Sequence, residues 1–371
     1  MPKRDTAKQQ EKVGHTCHTY KPTIRALIEL GLLIKSDRGH AYIKSAARLS
    51  AFGLENVALS AIKSTMHTAQ VTSWGQPPQY LEIDPPAPPA PESGDIQINV
   101  SAVGLHRVVR SRAAGIHYSS KALPHTPGTD GVGHTLDERP VYFTTLGSGR
   151  GTYSSIVNMP AVSVTPLPEG VDPVQAAALV NPGLSSWMAM RTRTAELPAN
   201  FSVVVMGATS ASGAIATELT RVLGAGRVVG VARSEEKLAA LDLDATILLR
   251  SPATETDFSG LGDVDLILDY VYGPPAAHLL QSLKSSRPVQ YVHIGSLDSN
   301  EMSLPGSVLR SKNLTIRGSG LGSWTPQQVE AGIPGLLEAI KGIKKKEVKV
   351  VPLSQVENAW NEKGERMVFV P

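Results

Sequence analysis

The chain has 371 residues, of which 41% are hydrophobic, and its 36 lysines and arginines against 33 aspartates and glutamates give a net charge of +3. That length is too great for one compact core and predicts two domains with an appendage. The near-neutral charge gives no footprint for nucleic acid, and no apolar run is long enough to span a bilayer. The single cysteine, Cys17, excludes an intramolecular disulfide framework and a cysteine-rich zinc site, and it favours a reducing, cytoplasmic setting.

Residues 1–65 differ in charge from the rest of the chain. They hold 11 lysines and arginines against 5 acids, a net charge of +6, and they contain no motif with a chemical meaning. Apolar residues at helical spacing over 24–32 predict one short amphipathic helix. We interpret the stretch as a basic N-terminal extension of unknown role. The folded pattern starts afresh at Met66, where apolar and polar residues begin to alternate.

The segment 66–190 predicts a small, mostly β domain. Residues 96–105 alternate between apolar and polar side chains, as a half-buried strand does, and glycine and proline punctuate the segment densely. Up to about Val180 the pattern indicates only short strands and turns. The chain is expected to return to this domain over 323–371, where a helical stretch from Thr325 ends in the strand-like sequence MVFVP.

The segment 191–322 alternates strands with helices. A buried apolar run at 201–206 is followed by a helical pattern at 214–225, and five further apolar runs predict strands. Those runs lie at 228–232, 246–250, 264–271, 289–295 and 314–318. Six strands with interposed helices predict an α/β fold of the Rossmann type, a doubly wound parallel sheet.

The loop between the first strand and the first helix of this segment, GATSASG, carries the strongest functional signal. Its two glycines allow a tight turn and close packing of the helix start, and its small residues leave backbone N–H groups at the positive end of the helix for a pyrophosphate. The alternative is a loop that is rich in small residues only for packing. The residues expected to bind the cofactor are Gly207, Thr209, Ser210, Ala211, Ser212 and Gly213.

The residue after the second strand of this segment indicates which dinucleotide is bound. A fold that prefers NAD places an acid there to bind the ribose 2′-hydroxyl. This sequence has Arg233, then Ser234, with Lys237 one turn further on. An arginine can bind a 2′-phosphate through paired, charge-assisted hydrogen bonds, whereas an acid would repel it. The pattern predicts NADPH, although Arg233 could also be an ordinary surface arginine.

Motifs outside this loop resemble the medium-chain dehydrogenase/reductase superfamily. LPHTPGTDGVG (123–133), NPGLSSW (181–187) and LRSKNLTIRGS (309–319) are similar to segments of its quinone oxidoreductase branch, and the resemblance covers about residues 66–371. It implies a GroES-like, mostly β catalytic domain beside the Rossmann domain. It also implies hydride transfer from NADPH to a quinone or an α,β-unsaturated carbonyl.

Zinc-dependent alcohol dehydrogenases share this fold, so their ligands are a direct test. Gly128-Thr129-Asp130 stands where those enzymes have Gly-His-Glu, and the stretch from Gly133 to Gly151 has none of the four cysteines of their structural zinc lobe. We therefore expect no metal and exclude zinc-assisted alcohol oxidation. Catalysis must instead rely on orientation and on a donor to the developing oxyanion.

The resemblance also implies the residues beside the reacting groups. Tyr118 matches a family tyrosine next to the nicotinamide and is a candidate hydrogen-bond donor, or else only a wall of the pocket. His106 replaces a family asparagine and is either a proton donor or a polar residue that fills that place. Asn181 and Ser185 match positions that help to fix the cofactor across the domain cleft.

Three functions stay open at this point. The leading hypothesis is an NADPH-dependent, zinc-free reductase of quinones or enones; a near variant is an enoyl reductase of polyketide or fatty-acyl biosynthesis. A third hypothesis is a non-catalytic NADPH-binding protein that uses its basic extension to recruit a partner. We expect a small-molecule substrate and neither a nucleic acid nor a membrane as partner, with a homodimer as an open alternative to a monomer.

Overall fold

The computed structural model describes residues 33–35, 41–43, 65–117, 119–120, 122–145, 149–364 and 366–371. The chain divides into one unit at Met1–Met66 with Glu82–Pro85 and a second at His67–Leu81 with Pro86–Pro371. In the first unit, strands β1 (Leu33–Lys35) and β2 (Ala41–Ile43) pair antiparallel. The helix predicted over 24–32 lies outside the described residues.

The remaining strands and the described helices follow one another along the chain. The strands are β3 (Met66–Gln70), β4 (Gln79–Ile83), β5 (Asp95–Gly104), β6 (Asp130–Thr135), β7 (Pro140–Thr144), β8 (Ile156–Pro160), β9 (Val164–Pro166), β10 (Ser202–Met206), β11 (Arg227–Ala232), β12 (Ala245–Leu248), β13 (Leu266–Asp269), β14 (Val289–His293), β15 (Leu314–Gly318), β16 (Lys349–Pro352) and β17 (Met367–Val370). The helices are α1 (Arg107–Ala113), α2 (Pro173–Thr192), α3 (Ala211–Val222), α4 (Glu235–Ala239), α5 (Gly273–Ser282), α6 (Gly306–Ser311), α7 (Pro326–Ile340) and α8 (Val356–Ala359).

Six parallel strands form the doubly wound sheet that the strand–helix rhythm predicts. Their spatial order is β12-β11-β10-β13-β14-β15, so the first strand of the segment lies in the middle and the chain runs outward in both directions from it. This is the Rossmann order, and the prediction is confirmed. All five residues of β10 are buried, as expected for a central parallel strand covered on both faces.

The second large sheet combines strands from residues 95–166 with two strands from the C-terminal end of the chain. Its order is β16-β17-β5-β6-β7-β9, with β8 paired to β5. Strand β17 pairs antiparallel with β5, where Val368 lies opposite Gly104 and Phe369 opposite Val103. The C-terminal strand therefore returns to the sheet that contains β5, as its sequence predicts.

Two helices contradict the expectation that residues 66–180 form only strands and turns. Helix α1 follows β5 directly, and α2 begins at Pro173, after the cap residue Asp172 accepts hydrogen bonds from the backbone N–H groups of Val174 (2.9 Å) and Gln175 (3.3 Å). Most residues of α2 are buried, so its sequence has no polar face and no helical periodicity. That is why the sequence pattern missed it.

Helix α2 joins the two sheets and sets the position of the cleft between them. It packs against β5 and β6 on one side and against α3 on the other. A Cβ atom at Gly183 would lie 3.2 Å from the side chain of Ile215 and 3.3 Å from that of Leu219, so the glycine lets α2 and α3 approach closely. None of the helices in the described ranges is long and apolar enough to cross a membrane.

Candidate active site

The loop after β10 closes tightly on the start of α3. Gly207 has a φ of 82°, a conformation that favours glycine, and a Cβ atom at Gly213 would lie 2.2 Å from the carbonyl oxygen of Gly207. Ser210 caps α3, and its hydroxyl accepts a hydrogen bond from the backbone N–H of Gly213 (3.0 Å). Both glycines are thus sterically required. The first turn of α3 faces a cleft, where its remaining backbone N–H groups can bind an anion.

A cleft of about 1140 Å³ lies between the two sheets and collects residues from both. From the nucleotide loop it is lined by Thr209, Ser210, Ala211 and Ser212, and from α2 by Asn181 and Ser185. His106 and His117 line it from the other sheet's side. The structure therefore brings most of the sequence-predicted cofactor residues together with the candidate proton donor His106.

A smaller cavity of about 180 Å³ continues past the glycine loop along the second strand. Leu249, Val271 and Leu297 give it apolar walls, and Arg233 lies at its edge. Arg233 forms an ion pair there with Asp298, which also lines the cavity. The apolar walls fit an adenine ring and the guanidinium fits a 2′-phosphate, while Asp298 is an acid that a phosphate would have to displace from Arg233.

His106 contacts a buried carboxylate. Its Nε2 atom lies 3.2 Å from Oδ1 of Asp130, at an angle that does not make a hydrogen bond, and the two residues are 8% and 1% exposed. Asp130 accepts hydrogen bonds from the hydroxyls of Thr129 and Tyr142, both at 2.9 Å, and Asn181 donates to the Thr129 hydroxyl at 3.2 Å. Polar groups thus connect the cleft to a buried acid without a gap.

The tyrosines around this network remain protonated donors. Burial, and then the neighbouring Asp130 carboxylate, raise the pKa of the Tyr142 hydroxyl well above its ordinary value. In the nucleotide sheet, burial raises the pKa of Tyr270 to about 12, and its hydroxyl lies 3.2 Å from that of Ser185. The Ser185 hydroxyl also donates to the carbonyl of Pro182 at 3.1 Å, so α2 fixes its orientation.

Two other residues predicted for the site, Ser234 and Lys237, are not among the described residues that line the cleft. Tyr118 lies outside the described residues. Its neighbour His117 lines the cleft with Nδ1 2.7 Å from the Ser119 hydroxyl, and burial, assisted by Arg112, lowers the pKa of that histidine. Ser234 caps α4, where it accepts a hydrogen bond from the N–H of Lys237 (3.3 Å). Lys237 is exposed, and it is not among the described residues that line the large cleft or the smaller cavity.

Sequence reasoning missed several charged residues of the site. Asp130 stands in the quoted GTDG motif, so its place was visible although its contact with His106 was not. Arg107 and Arg110 follow His106 directly along the chain, and Arg366 precedes the C-terminal strand; all three line the cleft. Asp298 had no local signal, because it reaches Arg233 from a loop 65 positions further along the chain.

The described residues also bear on metal ligation. No group of three or more histidine, cysteine, aspartate or glutamate side chains in the described part of the chain is arranged to hold a metal ion. Asp130, at the position where alcohol dehydrogenases have a zinc-binding motif, instead has hydroxyl donors around it.

The parallel sheet, its glycine loop and the adjoining cleft together define a Rossmann-type dinucleotide-binding fold. No protein-family model matches the sequence. A protein of Emericella nidulans, named a probable NADPH-dependent quinone reductase, is 35% identical over 359 residues, covering 82% of this chain and 100% of that protein. The quinone oxidoreductase of Rattus norvegicus is 28% identical over 304 residues, covering 77% of this chain and 88% of the rat protein.

A solved structure shows the same fold over the same extent. The native structure of a mycobacterial quinone oxidoreductase aligns with a TM-score of 0.69 at 18% identity, covering 82% of this chain and 100% of the mycobacterial chain. Together with the 35% identical relative, this identifies the architecture as a GroES-like domain with a Rossmann domain. The chain belongs to the quinone oxidoreductase family of the medium-chain dehydrogenase/reductase superfamily, and the family resemblance is confirmed.

Proposed function

We propose that the protein reduces a quinone or an α,β-unsaturated carbonyl with NADPH and without zinc. The observation that carries this proposal is the common cleft: the first turn of α3, which suits a pyrophosphate, and His106, which is backed by a buried acid, line the same cavity. The cofactor of the 35% identical relative is NADPH by name, and Arg233 at the edge of the adjoining cavity fits that cofactor here.

The protein's own residues would bind and orient the reactants. The loop Gly207–Gly213 would hold the pyrophosphate, Arg233 would hold the 2′-phosphate, and Asn181 and Ser185 on α2 would position the nicotinamide end. Bound NADPH supplies a hydride. His106 would donate a proton to the oxygen of the acceptor that gains charge, with the Asp130 carboxylate beside its Nε2 atom.

Three further predictions, on the domains, Tyr118 and the assembly, come from the sequence. The catalytic domain comprises 66–190 and 323–371, the Rossmann domain comprises 191–322, and residues 1–65 form a separate extension. Tyr118, which follows His117 along the chain, is a second donor to the acceptor oxygen. The protein assembles as a homodimer through the outer strand of the Rossmann sheet, for which the exposed edge of β15 is the supporting observation.

The decisive experiment is an NADPH-consumption assay on the full chain with menadione, a simple enone and a crotonyl thioester. Reduction of menadione or the enone, with little turnover of the thioester, is the expected result. A preference for the thioester would identify an enoyl reductase instead. Tight NADPH binding without oxidation by any of the three acceptors would contradict the proposal and favour the non-catalytic binding protein.

A further inference from the structure

We propose that Arg107 and Arg110 form an anion-binding subsite in the cleft, so that the preferred acceptor carries a negative charge, such as a carboxylate, a sulfonate or an ionised hydroxyquinone. The inference rests on the proposed function, because it names the chemical class of the acceptor for that same site. Neither arginine is needed to explain how the dinucleotide is held.

The placement of the two arginines fixes where the anion would lie. Helix α1 begins directly after His106, and Arg107 and Arg110 stand three residues apart on it, so they are neighbours on one face. Both side chains line the cleft together with His106. A negative group bound to them therefore lies beside the residue that protonates the acceptor.

The charge balance of the cleft supports an anionic occupant. Five lysines and arginines line it against one acid, Glu347, among the residues that the structure describes. Two of the five are neutralised, since Lys346 pairs with Glu218 and Lys349 with Glu362. The three cleft residues for which the described chain offers no carboxylate within ion-pair distance are Arg107, Arg110 and Arg366.

Arg110 is the more informative of the two α1 arginines. Its side chain is half-buried, its Nη2 donates to the carbonyl of Glu362 (2.8 Å), and its buried Nε has no hydrogen-bond partner among the described residues. A partly buried charge without a counter-ion costs free energy, as does a buried donor without an acceptor. An anion in the cleft would offset the cost of that charge.

Arg366, the third arginine of the cleft, is placed to neutralise the charge of the cofactor's pyrophosphate. Arg366 donates to the carbonyl of Ala178 (2.9 Å) and to that of Ala211 (3.3 Å), which lies in the first turn of α3. It therefore stands next to the loop that suits the pyrophosphate. Arg107 and Arg110 lie on the opposite element of the cleft and remain available to the acceptor.

The test compares menadione with a naphthoquinone sulfonate in the wild type, Arg107→Gln and Arg110→Gln. The ratio of kcat/KM for the sulfonate to that for menadione is taken within each protein, so that the acceptors' intrinsic reactivities cancel between proteins. Losing one charge-assisted hydrogen bond should lower this ratio about tenfold or more in each variant. Arg139→Gln, which removes an exposed arginine from the turn between β6 and β7, should leave the ratio unchanged.

The possible outcomes separate the anion subsite from the proposed function. An unchanged ratio in both α1 variants overturns the inference while leaving the proposed function standing. A weaker NADPH Kd with an unchanged ratio also overturns it, because the arginines would then serve the cofactor. If Arg110→Gln does not fold, as judged by circular dichroism, the exposed Arg107 and the charge-conserving Arg110→Lys carry the test. Failure of the wild type to oxidise NADPH with either acceptor sinks the proposed function itself.

Discussion

His106 and Asp130 hold the chemistry of the proposed reaction at the scale of single residues. The carboxylate cannot leave its buried place, because Tyr142 and Thr129 both donate to it, and His106 lies at the edge where that buried network meets the cleft. Such an arrangement places a buried carboxylate beside a candidate proton donor. Asp130 stands in the segment where zinc-dependent alcohol dehydrogenases have a zinc ligand, but here its neighbours are the hydroxyls of Thr129 and Tyr142.

We predict that His106→Gln lowers kcat about a hundredfold, since general acid catalysis typically contributes at least that much. NADPH affinity should hold, because the nucleotide loop is unchanged. The loss of kcat should be larger with an enone than with a quinone, because a quinone is reduced easily and its reduction depends less on a proton donor. Asp130→Asn should lower kcat and also change the pH profile of kcat, which a merely structural role would not do. Unchanged turnover in His106→Gln would move the donor role to Tyr118, where Tyr118→Phe is the corresponding test.

Arg233 and Asp298 give the second prediction at this scale. Arg233→Ala should weaken NADPH binding about tenfold to a hundredfold, the worth of one hydrogen bond to a charged group. NADH should bind nearly as before, because it lacks the 2′-phosphate. Asp298→Asn should strengthen NADPH binding, since it removes an acid that competes for Arg233. Fluorescence titration of both cofactors measures these effects, and equal losses of NADH and NADPH in Arg233→Ala would contradict the assignment.

At the scale of the elements, the end of β14 carries a pH-sensitive contact. His293 is half-buried, its ring centroid lies 4.0 Å from that of Tyr272, and no described residue forms a hydrogen bond with its buried Nδ1. Burial lowers the pKa of His293 below its ordinary 6.5, against an opposing effect of Asp269. The folded chain thus resists a proton that the unfolded chain accepts, so the free energy of unfolding should fall as the pH drops below about 6.5.

A neutral replacement isolates that contribution. Chemical denaturation of the wild type and of His293→Gln, measured at several pH values between about 5 and 7.5, should give a flatter pH dependence for the variant. Parallel curves for the two proteins would show that His293 does not control stability in this range.

How far sequence reasoning reached depends on whether a signal was local. Strand β15 matches its predicted bounds, because an apolar alternation and turn residues fix both ends. Helix α2 was missed because it is buried on most of its faces and contains Pro182 and Gly183 in its interior, so amphipathic periodicity was absent. The glycine loop is a local motif and could be predicted, whereas the Arg233–Asp298 pair joins residues that only the folded sheet brings together.

At the scale of the whole molecule, the outer strand of the Rossmann sheet is an open edge among the strands that the structure describes. Within those strands β15 pairs with β14 alone, and Ile316 on it is 40% exposed. An open edge with an apolar residue is a template for pairing with another strand, which proteins normally cover or charge. A second copy of this chain offers the same edge, so two copies related by a twofold axis can pair β15 with β15.

We therefore expect the full chain to sediment as a dimer at micromolar concentration. Ile316→Lys should shift it towards the monomer, because the substitution places two like charges across the twofold axis and removes apolar contact area. The Rossmann core should be unaffected, since Ile316 lies at the edge of the sheet; NADPH affinity, measured by titration, is the control for that. Leu136→Lys, at a more exposed apolar position in the turn between β6 and β7, should leave the dimer intact. A monomeric wild type, or a dimer that Ile316→Lys does not weaken, would place the interface elsewhere or remove it.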